Sequence, residues 1–189
     1  MRSPSANTMT RSAASRAKPI SCVEISVVIL SCWTRSLITD NTSTYGTAGI
    51  QGWDHCDLVI RNNDLRGNYG AIALGDDCSG TITGNLVVDN AIGGGGAGIW
   101  HGWGPAETVV IEQNLFIRNH AAAIGGAIYA GDFGTVVIDH NTFYECAADG
   151  GGSAVLCQTD VAVTFDHNIV SRCTGPDATP RATVATAGV

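Results

Sequence analysis

Short runs of alternating apolar and polar residues recur along the chain with a period of about 27 residues. The same pattern returns in each period: an apolar residue, a polar residue three positions later, and a second apolar residue two positions after that. The polar residue is almost always asparagine, in the series Ser36, Asn63, Asn85, Asn114, Asn141 and Asn168. A repeat of this length determines the fold, because neighbouring repeats must stack to bury a common apolar face.

Each repeat holds three apolar runs, and each run contributes one residue to a column that continues from repeat to repeat. The first column is Ile50, Ile72, Ile99, Ile128 and Val155. The two columns that flank the asparagines are Trp33, Ile60, Ile82, Ile111, Ile138 and Phe165, and Ile38, Leu65, Val87, Phe116, Phe143 and Val170. Runs this short and this rich in β-branched residues are typical of strands. The pattern predicts an all-β, single-domain parallel β-helix of about six coils, stacked roughly 4.8 Å apart.

The asparagine column is expected at the sharp corner between the second and third strands of each coil. Asparagine suits a corner because it tolerates the left-handed region of backbone conformation. Its amide can also bond to the coils on either side, as in other asparagine ladders. We therefore expect the asparagines of this column to form one ladder along the solenoid.

The motif I-x-x-N-x-h, in which h is apolar, and the G-G-x-I-Y that follows it resemble the repeat of right-handed parallel β-helix proteins. That superfamily includes pectate lyases, pectinases and alginate epimerases, and the resemblance covers about residues 36–173. It implies a right-handed coil but no particular chemistry, because one scaffold carries several activities. The D-P-H-E motif of alginate epimerases is absent, and no segment matches the arginine-containing motif of pectate lyases.

The extent of the repeat divides the chain into four parts. Residues 1–19 are basic and rich in serine, and we expect a disordered or targeting segment. Residues 20–35 are apolar and predict a degenerate first coil or cap, with a secretion signal as the alternative. Residues 36–173 are the predicted β-helix, and residues 174–189 are expected to form a disordered tail.

Charge and composition narrow the choice of partners. The chain has a formal net charge of −7, and 14% of its residues are charged. This acidic balance argues against nucleic acid and anionic membranes as partners. No apolar run reaches the length of about 18 residues that a membrane-spanning helix needs, so no span is expected. The oligomeric state is left open.

Two pairs of cysteines are each separated by one repeat. Cys56 and Cys78 are 22 residues apart, which is the local period, and Cys146 and Cys173 also differ by one period. Stacking would bring the Cα atoms of each pair within disulfide range. Side chains in register point in parallel, however, so a ladder of free thiols is the alternative. Both pairs are predicted to be adjacent, and an oxidised pair would place the protein outside the cytosol.

The outward face of the first strands is predicted to form a groove. The residues one and four positions past each inward isoleucine are Gln51, Ala73, Trp100, Tyr129 and Leu156, and Asp54, Asp76, Trp103 and Asp132. Trp100, Trp103 and Tyr129 are the predicted substrate-binding residues, because aromatic faces with a polar edge suit sugars. Asp76, His101 and Asp132 are the candidate catalytic residues beside them.

These features favour an extracellular or cell-surface module that binds a polysaccharide or glycan, without an assigned catalytic activity. The alternative is a polysaccharide lyase or glycoside hydrolase acting on an acidic or plant-type polysaccharide. Hydrolysis usually needs two carboxylates, and Asp76 and Asp132, two coils apart at roughly 10 Å, are near the upper limit for an inverting pair. A structural spacer or adhesin repeat is the third hypothesis.

No cofactor or resident metal is expected. Glu112, Asp139 and Asp166 form a stacked acidic column with His140 and His167 beside it. Carboxylates one coil apart repel one another, so a Ca²⁺ ion there is one hypothesis. Hydrated carboxylates with modest repulsion are the more ordinary outcome.

Overall fold

The computed structural model describes residues 28–30, 36–44, 46–104, 108–131, 134–158 and 160–176. This part of the chain is all-β and winds into a parallel β-solenoid of about five turns. The predicted fold is therefore confirmed, with about five turns where about six coils were expected. The predictions for residues 1–19, for most of 20–35 and for most of 174–189 lie outside the described residues.

Three long parallel sheets run along the described part of the solenoid. The first sheet contains β3 (Ile50–Gly52), β6 (Ile72–Gly75), β10 (Ile99–Gly102), β14 (Ile128–Ala130) and β18 (Val155–Cys157). The second sheet contains β1 (Val28–Leu30), β4 (Asp57–Arg61), β7 (Ser79–Thr83), β11 (Thr108–Glu112), β15 (Gly134–Asp139) and β19 (Val161–Asp166). The third sheet contains β2 (Leu37–Thr39), β5 (Asp64–Arg66), β8 (Leu86–Val88), β12 (Leu115–Ile117), β16 (Thr142–Tyr144) and β20 (Ile169–Ser171).

The structure adds a short sheet that the sequence pattern does not predict. It contains β9 (Ala91–Ile92), β13 (His120–Ala121) and β17 (Ala147–Ala148), at the corner between the third and first sheets. Strands of two residues are too short to show an alternation of apolar and polar positions, and glycine-rich sequence follows them. Ala97, Ala121 and Ala148 pack together here as a small, separate core cluster.

The main core consists of apolar columns that keep strict register from coil to coil. The central column of the second sheet is Ile60, Ile82, Ile111, Ile138 and Phe165. In the third sheet, the rings of Phe116 and Phe143 are fully buried and stack with centroids 5.0 Å apart. A slip of one residue would turn these side chains towards solvent, so burial fixes the register.

The asparagine column forms a continuous ladder of hydrogen bonds, as predicted. The backbone N–H and the side-chain amide of Asn114 both donate to Oδ1 of Asn141, at 2.9 and 3.0 Å. Equivalent pairs of bonds join Asn63 to Asn85, Asn85 to Asn114 and Asn141 to Asn168. The amide of Asn114 also donates to a backbone carbonyl of the preceding coil at 2.8 Å. The inner members Asn85, Asn114 and Asn141 therefore each bond to the coils on both sides.

The left-handed backbone lies one residue before each ladder asparagine, so the conformational reason expected for asparagine at this corner is wrong. The preceding residues, all with positive φ, are Asn62, Gly84, Gln113, His140 and His167. Asparagine is needed for its amide, because the ladder requires one side chain that both donates and accepts at a buried site.

A second, unpredicted ladder follows the third sheet. The backbone N–H and amide of Asn68 donate to Oδ1 of Asn90 at 2.9 and 3.0 Å, and Asn41 and Asn119 extend the series. Cys146 takes the next position, with its sulfur 4.0 Å from Nδ2 of Asn119. The signal is present in the sequence, because each member lies five residues after a member of the polar series that runs from Ser36 to Asn168.

Both cysteine pairs are adjacent, as predicted. Cys56 and Cys78 form a disulfide with Cα atoms 4.5 Å apart. Cys146 and Cys173 are free thiols that share a hydrogen bond at the end of the second ladder. This bond from Cys146 lowers the pKa of Cys173 to about 7, while the same bond and burial raise the pKa of Cys146.

Candidate binding groove

The outward face of the first sheet carries a row of aromatic side chains. Trp100 pairs with Ala73 on one side and with Tyr129 on the other. The rings of Trp100 and Tyr129 stack with centroids 6.4 Å apart and planes at 21°. Both side chains are half-buried. The stacking expected from their shared offset is present, whereas their role in binding stays a prediction.

Trp53 completes a cluster of three indoles. Its ring centroid lies 5.7 Å from that of Trp100 and 5.5 Å from that of Trp103. Trp100 and Trp103 meet edge to face, with centroids 4.9 Å apart and planes at 70°. Tilted and edge-to-face arrangements at these distances are favourable for aromatic pairs. The sequence pattern predicts Trp100 and Trp103 at this site but does not predict Trp53.

Glycine in the next coil makes room for Trp53. Trp53 lies three residues after Ile50, and the equivalent position after Ile72 is Gly75. A Cβ atom at Gly75 would lie 2.3 Å from the Trp53 ring, well inside van der Waals contact. The indole therefore packs directly on the backbone of β6. A tryptophan at a position where the next three coils have Gly75, Gly102 and Gly131 is the signal that could have identified it.

Trp103 occupies a turn position that suits small polar residues. Its φ is 67°, and Asp54 and Asp76 at the equivalent position have φ values of 68° and 49°. Aspartate tolerates this left-handed region, whereas a positive φ is uncommon for a bulky residue. Trp103 is nevertheless 62% exposed. Backbone strain of this kind, at a residue whose side chain lies mostly outside the core, is found most often at functional sites.

The indoles border an open groove with a volume of about 240 Å³. The residues that line it are mostly apolar and include Thr47, Trp53, Tyr69, Ala73, Ile92, Gly94, Gly95, Trp100 and Trp103. The glycine-rich corner before β10 is held at this lining, where the N–H of Gly93 donates to the hydroxyl of Tyr69 at 3.2 Å. A concave, largely apolar site with a few polar groups is typical of ligand binding.

Polar side chains hold the edges of the aromatic row. Oε1 of Gln51 accepts a hydrogen bond from Nε1 of Trp53 at 3.3 Å, and the Gln51 amide donates to the carbonyl of Thr47. At the other end, Nε2 of Gln158 donates to the hydroxyl of Tyr129 at 2.5 Å. The polar edges of Trp53 and Tyr129 are therefore fixed by neighbouring amides.

The described candidate catalytic residues do not share a surface. Asp76 is exposed at the turn after β6. His101 is 4% exposed, on the inner face of the first sheet. The expected position of His101 beside the indoles is wrong, because alternation along β10 turns it inward when Trp100 faces outward. Asp132 lies outside the described residues.

A polar cluster lies on another side of the solenoid, at the corner between the second and third sheets. It contains Asp139, His140, Asp166 and His167. The hydrogen bond from His140 and, to a smaller extent, the one from His167 lower the pKa of Asp139. Among the described residues, Asp139, His140 and His167 bring ligand atoms close enough together to share a metal ion.

Successive coils contribute one strand each to the parallel sheets, and asparagine ladders run along the corners. This architecture defines the class of parallel β-solenoids. The sequence model of a family described as “Right handed beta helix region” matches residues 7–126, which is more than half of the chain. The protein belongs to this family, and the resemblance seen in its repeat is confirmed. Searches among curated proteins and among solved structures give no match.

The described residues contain no helix that is both long and apolar enough to cross a membrane.

Proposed function

We propose that the protein is an extracellular or cell-surface β-helix that binds a polysaccharide or another glycan along its first sheet. The main support is the groove bordered by Trp53, Trp100 and Trp103, with Tyr129 stacked beside Trp100 and neighbouring ring centroids 4.9 to 6.4 Å apart. Rings that are held at their polar edges and keep part of their surface exposed suit the C–H faces of sugars.

The exposure of the groove supports a binding role over a purely structural one. Trp103 is 62% exposed, and its backbone adopts the left-handed conformation where its ring meets the cluster. Exposed apolar patches rimmed by polar residues mark interaction sites. A spacer or adhesin repeat would not need this arrangement on one face of one sheet.

The disulfide is in line with a location outside the cytosol. The Cys56–Cys78 bond joins two coils, and disulfides persist mainly in oxidising compartments. A glycan partner is also compatible with a net charge of −7, which disfavours nucleic acid.

Binding without catalysis fits the groove better than a lyase or hydrolase. Of the candidate catalytic residues in the described part of the chain, Asp76 is exposed and His101 is buried. A general acid or base must come within hydrogen-bond reach of its substrate. His101, on the inner face of the sheet, does not meet that condition for a ligand in the groove.

A glycan array followed by calorimetric titration of the glycan that binds tests this proposal. We expect Trp100→Ala and Tyr129→Ala each to weaken binding by about 1–2 kcal/mol, or roughly five- to thirtyfold. Leu115→Ala is the control, because Leu115 is a 37% exposed apolar residue on the third sheet.

Two outcomes would contradict the proposal. One is a complete array with no glycan bound by the parent protein. The other is a Trp100→Ala, Tyr129→Ala double variant that binds as tightly as the parent, which would place binding elsewhere. Turnover of a bound glycan that is lost in Asp76→Asn would instead support the enzymatic alternative.

A further inference from the structure

The corner after β15 and β19 carries an aspartate–histidine pair on two consecutive coils. Asp139 and Asp166 are register partners at the ends of these strands, and His140 and His167 follow them directly. The imidazole rings of His140 and His167 stack with centroids 4.6 Å apart and planes at 18°. The 27-residue repeat therefore brings two imidazoles and two carboxylates together.

The carboxylate of Asp139 contacts both imidazoles. Its Oδ2 is 2.8 Å from Nδ1 of His140, and its Oδ1 is 3.2 Å from Nδ1 of His167. Nδ1 of His167 is also 3.2 Å from Oδ2 of Asp166. One ligand atom from each of Asp139, His140 and His167 lies within 4.8 Å of the other two.

This donor set matches a transition metal more closely than it matches Ca²⁺. Imidazole nitrogen with carboxylate oxygen is a common ligand set for Zn²⁺, whereas Ca²⁺ takes oxygen ligands. Ligand atoms about 2.0–2.1 Å from a tetrahedral ion lie about 3.3 Å from one another. The distances from the Asp139 carboxylate to His140 and His167, 2.8 and 3.2 Å, are near that value. Both histidine side chains are more than half exposed, at 57% and 61%. Exposed rings rotate readily, so both nitrogens can turn towards one ion.

We propose that Asp139, His140 and His167 bind a divalent transition-metal ion of the Zn²⁺ type, with Asp166 or a water molecule as a further ligand. The ion ties two consecutive coils together at their corner. The site is on a different side of the solenoid from the aromatic groove, so it does not depend on the proposed glycan binding.

The chain supplies matched controls for this site. His120 pairs with Asp149 at 2.9 Å and represents a single surface histidine–aspartate pair. Gln113 occupies the position equivalent to His140 in the preceding coil, with the same left-handed backbone. The fold therefore already accommodates glutamine at this corner, and His→Gln variants are expected to fold.

Calorimetric titration of the full chain with ZnCl₂, and separately with CaCl₂, tests the proposal. We expect one saturable Zn²⁺ site per chain and no saturable Ca²⁺ binding. His140→Gln, His167→Gln and Asp139→Asn should each weaken Zn²⁺ binding at least about tenfold, and His120→Gln should leave it unchanged. Zn²⁺ should also raise the unfolding temperature of the parent but not of the His140→Gln, His167→Gln double variant.

Several results would overturn the assignment. These are a parent protein with no saturable Zn²⁺ binding, a double variant with unchanged affinity, and a loss in His120→Gln equal to that in His140→Gln. Ca²⁺ binding as tight as that of Zn²⁺ would also overturn it, since it would indicate a simple carboxylate site. Far-ultraviolet circular dichroism checks that each variant is folded.

Discussion

Single residues of the groove are explained by the coil beside them. Trp53 packs on the backbone of Gly75, and Trp103 takes the turn position that Asp54 and Asp76 hold in other coils. The glycine leaves space for one indole, and the turn directs another towards it. Gly75 and the turn at Trp103 therefore determine whether the indole rings can pack together.

We expect Gly75→Ala to displace the Trp53 indole, because the added methyl group would occupy space that the ring fills. Tryptophan fluorescence and near-ultraviolet circular dichroism should change, and stability should fall by about 1–3 kcal/mol. Gly94→Ala is the matched control, since a Cβ at Gly94 has no atom within 4 Å. Identical spectra for Gly75→Ala and the parent would show that Trp53 is not held as described.

The free cysteines are expected to react unequally with an alkylating agent. The hydrogen bond from Cys146 lowers the pKa of Cys173 to about 7, whereas burial raises the pKa of Cys157 to about 12. Because the thiolate is the nucleophile, alkylation of Cys173 by iodoacetamide should accelerate as the pH rises through about 7. Peptide mass spectrometry should find Cys157 unmodified under the same conditions. Equal rates for the two thiols would contradict this difference.

The sequence predicts some residues of the groove correctly. Trp53 and His101 are not predicted correctly, each for a different physical reason. Trp100 and Tyr129 share an offset from the inward isoleucines, so their stacking follows from the repeat. Trp53 has no aromatic equivalent in the other coils, so no aromatic column in the repeat includes it. His101 follows Trp100 directly, and direct neighbours in a strand face opposite sides. Closeness in sequence is therefore a poor guide to a shared surface.

At the scale of the strands, order comes from columns that run between coils. The apolar columns and the first asparagine ladder are visible in the sequence because they recur at every turn. The second ladder is harder to detect, because Cys146 and Cys173 replace asparagine in its last positions. The two-residue strands of the short sheet carry no periodic signal of their own.

The asparagine ladder makes a testable contribution to stability. We expect Asn114→Ala to lower the free energy of unfolding by about 2–4 kcal/mol, because buried donors of Asn85 lose their acceptor. Urea denaturation measures the change. Asn168→Ala at the half-buried end of the ladder should cost less, since water can reach the donors of Asn141. Equal losses in the two variants would contradict this account.

At the scale of the whole solenoid, side chains link consecutive coils at several levels, including a bidentate ion pair between Arg118 and Asp89 near the middle. The Cys56–Cys78 disulfide joins two early coils, and the contact between Asp139 and His167 joins two late ones. Between them, each coil depends mainly on its neighbours, as in other repeat proteins. The side chain of Phe143 is fully buried, whereas that of Phe165 is only partly buried. An added link between coils would therefore stabilise the later coils more than the earlier ones.

The first asparagine ladder joins coils of unequal length with the same bonds. Successive asparagines are 22, 29 and 27 residues apart, yet each pair keeps its two hydrogen bonds. The additional residues of the 29-residue coil lie on either side of β10, in the segments that contain Gly94, Gly95 and Trp103 of the groove lining. A change in the length of these segments would therefore alter the lining of the groove and leave the ladder and the core in place.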